Sequence, residues 1–137
     1  MKNNLKVVFI ILDLLKKCLI DDGEIELSFR VEALITIMED LETSLADYEA
    51  NFNHSIFDEN KDVLIEEIEN NYHIFSLTES ALSLVKSIEH QLADNRDLLF
   101  KIETCHEFIK NIKDQFDHFL KSEDVLSLEQ DGEKLHH

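Results

Sequence analysis

The chain has no proline, no tryptophan, two glycines and two cysteines, and only 13 lysines and arginines among its 137 residues. Each shortage removes a class of protein. Without proline, and with so little glycine, collagen, proline-rich linkers and long disordered tails are excluded. Two cysteines cannot supply the framework of a disulfide-dense miniprotein. With Gly only at 23 and 132 there is no glycine-rich phosphate loop. The 13 basic residues face 30 Asp and Glu, for a formal net charge of −17. Direct nucleic-acid binding is not expected, because neutralising phosphates takes clustered lysine and arginine. No cofactor motif is present.

Core-forming material is plentiful: 44% of the residues are hydrophobic. The length fits one domain, expected over 1–121, with 122–137 a short helical turn and a frayed tail. Lys134-Leu135-His136-His137 reads as the start of a purification tag, so the last two histidines are set aside. Lys2 and Lys6 before Val7–Leu12 resemble the opening of a secretory signal. Asp13 interrupts the run, Lys16 and Lys17 follow, and no small-residue cleavage site appears, so a core helix is expected instead. The run is also far short of the ~20 residues that span a bilayer. Cys18 and Cys105, distant and at helical core spacing, suit a reducing cytoplasm.

The hydrophobic pattern is helical nearly throughout, which predicts an all-α, antiparallel four-helix bundle, or five helices if 125–128 makes its own turn. Leu5, Val8, Leu12, Leu15 and Leu19 recur at 3-4-3-4, with Ile11, Leu14 and Cys18 as a second row. Asp21-Asp22-Gly23 ends that segment. Leu27, Val31, Leu34, Met38, Leu41, Leu45 and Tyr48 form a seam at strict 4-3 spacing. Asn51–His54 reads as the turn out. The third segment changes register. Its row is Ile65, Ile68, Tyr72, Phe75, then Ile74, Leu77, Ala81, Leu84, Ile88, and the two lie more than ~100° apart on one straight helix. With Asn70-Asn71 and a Ser76-x-x-Glu79 capping box, a kink or break is predicted near 70–78. The alternative is one central helix touching neighbours on two sides. Asp94 is the expected N-cap of the fourth segment, whose row is Ile102, Cys105, Ile109, Ile112, Phe116 and Phe119.

Charge is unevenly spread. Residues 1–20 carry +3, residues 21–79 carry −15 and residues 80–137 carry −5. Taking the seam as inward, Glu32, Glu39, Asp40 and Asp47 point outward on the second segment, with Glu42 and Glu49 on a flank. Glu59, Asp62, Glu66 and Glu69 repeat at 3-4-3 on the third. Like charges at these spacings cost roughly 0.2–0.5 kcal/mol each. Lys101, Lys110, Lys113 and Lys121 interleave with acids on the fourth segment, as on an ordinary solvated face.

Solubility accounts for an acidic surface in general. Its concentration on two adjacent segments points to more: a non-enzymatic inhibitor or immunity-type protein. Glu32, Glu39, Asp40, Asp47, Glu59, Asp62, Glu66 and Glu69 would dock on a basic, nucleic-acid-handling partner, in the manner of a nucleic-acid mimic or toxin neutraliser. The competing expectation is an adaptor or secretion chaperone holding an amphipathic partner helix in an apolar groove near 70–78. Pairing between two copies of the chain stays open.

Catalytic and metal signals are thin. Glu103-x-x-His106 matches one element of a di-iron carboxylate bundle, but no second copy exists and Glu69-x-x-x-His73 has the wrong spacing. No His pair has zinc spacing. Cys105 and His106 diverge by ~100° on a helix and make a poor nucleophile–base pair. His90 stands on a bundle helix, as in a phosphotransfer module, without the Lys-Gly sequel of such modules. Phe29, Phe52, Phe57 and Phe100 are not explained by the seams.

Overall fold

A computed structural model describes residues 2–55 and 61–135, with side chains described over 3–48 and 69–118. Four helices follow one another: α1 (Lys2–Asp21), α2 (Ile25–Ser55), α3 (Lys61–Gln91) and α4 (Arg96–Leu135). Each packs antiparallel on its chain neighbour, and α1 closes the ring on α4. Among the described residues the diagonal backbones do not approach one another. The predicted bundle is therefore the fold.

Periodicity accounts for the core. On α1, Leu5, Val8, Leu12, Leu15 and Leu19 are all buried, whereas the second row is only half-inside: Ile11 and Cys18 are intermediate and Leu14 is exposed. All seven seam residues of α2, from Leu27 to Tyr48, are buried. On α4 the buried row is Leu98, Ile102, Cys105, Ile109, Ile112 and Phe116. Burying the larger of these side chains stabilises the fold by about 1.5–3 kcal/mol each before chain entropy is counted. The Tyr48 ring meets Phe116 edge-on at 5.3 Å, an aromatic contact that crosses the α2–α4 diagonal.

The first turn is built as expected. Gly23 has φ of 77°, its N–H bonds the carbonyl of Ile20 at 3.1 Å, and the Glu24 N–H bonds that of Leu19 at 2.8 Å. These two bonds satisfy carbonyls that the end of α1 would leave open, and only glycine takes that backbone without strain.

Four expectations are corrected. Asn95, not Asp94, caps α4: its Oδ1 accepts the Leu98 N–H at 3.3 Å, and its carbonyl accepts from Leu99. The turn expected at Asn51–His54 falls inside α2, which runs on to Ser55. No break occurs at 70–78, because α3 is one helix from Lys61 to Gln91. The two-sided alternative holds, with α3 packed on both α2 and α4. Its buried row is Ile74, Thr78, Ala81, Val85 and Ile88, continued by Leu92 just past its end; Leu77 and Leu84 are only half-buried. Thr78 enters this apolar row because its hydroxyl donates to the Phe75 carbonyl at 2.7 Å, which satisfies it locally. Asn70, half-buried, donates from Nδ2 to the Ser44 carbonyl at 3.2 Å and so ties α3 to α2. An asparagine that looks like a breaker in sequence is here a tie between helices. The 125–128 segment lies within α4 rather than forming a fifth helix.

Candidate functional site

On α2 the seam faces the bundle, and the acids divide between two remaining directions. At 100° per residue, Glu32 and Glu39 share one flank, and Asp40 and Asp47 lie roughly 60–80° further round. The first flank is the one beside α1, since Lys16 Nζ reaches Glu32 Oε2 at 2.5 Å. The opposite flank faces α3, where Arg30 Nη1 donates to Ser87 Oγ at 3.1 Å. Glu26, near the start of α2, has Arg30 at 3.8 Å.

Glu39, Asp40, Glu42 and Asp47 are all exposed, and none has an ion-pair partner among the described residues. The nearby threonines do not help them. Thr36 and Thr43 turn their hydroxyls onto the carbonyls of Glu32 and Glu39, at 3.1 and 3.2 Å. Among the described side chains, the middle of α2 therefore carries four exposed, unpaired carboxylates.

The eight expected contact residues are thus not one strip. Glu32 is engaged by a lysine of α1. Glu39, Asp40 and Asp47 are exposed on α2, and Glu69 is exposed on α3. Glu59 lies outside the described residues, as do the side chains of Asp62 and Glu66. Past Glu69 the exposed residues of α3 are Tyr72, His73, Phe75, Ser76, Glu79, Ser80, Ser83, Lys86, His90 and Gln91, of which only Glu79 is acidic.

Glu79 belongs to the α3–α4 boundary, where the bases of α4 are used. Lys113 Nζ is 2.6 Å from Glu79 Oε1 and 5.6 Å from the centroid of the Phe75 ring. The hydrogen bond to Glu79 raises the Lys113 pKa above its ordinary value. His106 Nδ1 lies 2.7 Å from Glu89 Oε1. A carboxylate can only accept, so Nδ1 carries the proton and Nε2 is left for another partner. A cavity of about 530 Å³ opens beside these pairs. Sequence reasoning treated these lysines as solvated surface, and no signal within one helix would have joined residues of α3 to residues of α4.

The catalytic signals find other roles. Glu103 is exposed, while His106 of the same E-x-x-H turns to Glu89. Among the described residues no three His, Cys, Asp or Glu side chains are grouped to hold a metal ion. Cys105 is fully buried, and burial pushes its thiol up to about 12, so it holds its proton at neutral pH and is not the thiolate that attacks. Phe29 and Phe100 are exposed, 69% and 70%, on α2 and α4; Phe52 and Phe57 lie outside the described side chains. Across 70–78, where an apolar groove is the competing expectation, α3 is continuous and Tyr72 and Phe75 are exposed. Among the described residues no helix is long and apolar enough to cross a membrane. Compared with protein-family models, with curated proteins and with solved structures, the chain matches none.

Proposed function

We propose that this is a non-enzymatic binding protein of the inhibitor or immunity type, which presents the acidic face of α2 to a basic, nucleic-acid-handling protein. The observation that carries the reading is local. Glu39, Asp40, Glu42 and Asp47 are exposed on one stretch of helix with no cation paired to them among the described residues. Other acids do have cations: Lys16 pairs with Glu32, Lys17 with Asp13 and Lys113 with Glu79. Carboxylates left unpaired on a rigid helix repel one another by a few tenths of a kcal/mol per pair, and a cationic partner relieves that repulsion on docking. Glu69 on α3 extends the set, and Glu32 joins it only if the partner displaces Lys16. The free thiols of Cys18 and Cys105 support a reducing compartment, the cytoplasm, as the place of action.

Attraction between such faces is long-ranged and falls with salt, since the Debye length shrinks from about 10 Å at 0.1 M to about 3 Å at 1 M. The test is affinity capture from the native host with the wild-type chain and with Glu39→Lys/Asp40→Lys/Asp47→Lys/Glu69→Lys. The expected result is a basic nucleic-acid-handling protein held at about 0.1 M NaCl, released at about 1 M, and lost in the reversed variant, which keeps its helix content. Capture that survives high salt, or that ignores the four reversals, would overturn the reading.

A further inference from the structure

In a chain of net charge −17, cations gathered at one place stand out. Lys86 on α3 and Lys110 and Lys113 on α4 all line the α3–α4 cavity. Lys113 is already committed to Glu79 at 2.6 Å. Lys86 and Lys110 are exposed and have no ion-pair partner among the described residues. They stand on two different helices, so a ligand between them is held from both sides. The acids of the walls are Glu79, taken by Lys113, and Asp114. His106 also lines the cavity, with Nδ1 fixed on Glu89 and Nε2 uncommitted.

We propose that this groove binds a small organic phosphate, with the phosphate bridging the Lys86 and Lys110 ammonium groups. Lys86 and Lys110, offset in part by Asp114, can both donate to one anion, and a phosphomonoester, with a charge near −2 at neutral pH, is drawn to them more strongly than a monoanion such as a single carboxylate or sulfate ester. Ser83 offers a hydroxyl beside them, and half-buried Leu82 gives the organic part an apolar surface. At about 530 Å³ the cavity is within the usual size range of small-molecule sites. No described residue of α2 lines the groove, so neither proposal rests on the other.

The test is an amide NMR titration with phenyl phosphate at constant ionic strength, with phenyl sulfate as the monoanionic control. The expected result is saturable shifts confined to residues 79–86 and 106–114, with Kd on the order of 1 mM. Lys86→Gln/Lys110→Gln should weaken binding by about tenfold or more while the rest of the spectrum stays in place, since both side chains are exposed. Phenyl sulfate should bind at least about fivefold more weakly. Three results would overturn the proposal: shifts that do not saturate or that appear equally around Lys6 and Lys17, equal affinity for the sulfate ester, or an undiminished response in the double variant. Reversing the acids of α2 should leave this titration unchanged.

Discussion

At the start of α4 two neighbouring residues have equal claims as a cap, and geometry separates them. Asn95 Oδ1 accepts the Leu98 N–H, whereas Asp94 has no hydrogen bond to that turn. Asn95→Ala should therefore cost about 1 kcal/mol, and Asp94→Ala less than about 0.5 kcal/mol, in urea unfolding. In sequence both are good capping types, and only the backbone path chooses. The two cysteines differ by burial in the same way. Cys18 is partly accessible and Cys105 is not. A thiol reagent should label Cys18 in the folded protein and Cys105 only on unfolding. The alkaline sign follows from the raised thiol pKa. Above pH 9 the unfolded chain ionises Cys105 while the folded chain holds the proton up to about 12. Its contribution is fully present below pH 9 and is lost as pH rises toward 12. Replacing Cys105 by Ala should flatten that part of the stability profile.

Among the elements, α3 is the one that sequence patterns misjudge. Of its two apolar rows the second is the one inside: Ile74, Ala81 and Ile88 are buried whereas Tyr72 and Phe75 are exposed, and Asn70 and Thr78 are satisfied by the Ser44 and Phe75 carbonyls. A helix buried on two sides tolerates poor helix formers, because packing outweighs propensities of less than about 1 kcal/mol each. Ser76→Pro tests the continuity of α3. Ser76 is exposed, so little packing is lost, but a proline in the interior removes a backbone bond and should cost about 3 kcal/mol or more. Near-neutral unfolding of that variant would mean that the helix is interrupted there. The α1, α2 and α4 seams were legible because each contains a strict row at alternating 3 and 4 spacing, and every residue of those rows with a described side chain is buried.

For the whole molecule the dominant long-range force is self-repulsion at a net charge of −17. Screening it should stabilise the fold. The melting temperature should rise by several degrees between about 0.01 and 0.5 M NaCl, as the Debye length falls from about 30 Å to under 10 Å. A falling melting temperature would mean that pairs such as Lys16–Glu32 and Lys113–Glu79 contribute more than the repulsion takes away. The excess of acid over residues 21–79 was plain in sequence, but its arrangement was not. Glu32 is held by Lys16 of α1, 16 positions away, and Glu79 by Lys113 of α4. Those pairings depend on which helix lies beside which, and the sequence alone leaves that open.

By itself the sequence determined four amphipathic helices, their inward rows and the surplus of carboxylate, because periodicity and composition are local properties of the chain. The tertiary structure decided that α3 stays whole, that the acids of α2 divide between a flank beside α1 and an outer face, and that lysines from α3 and α4 meet across one groove. Each of these depends on contacts between residues far apart in the chain, and no local pattern encodes such a contact.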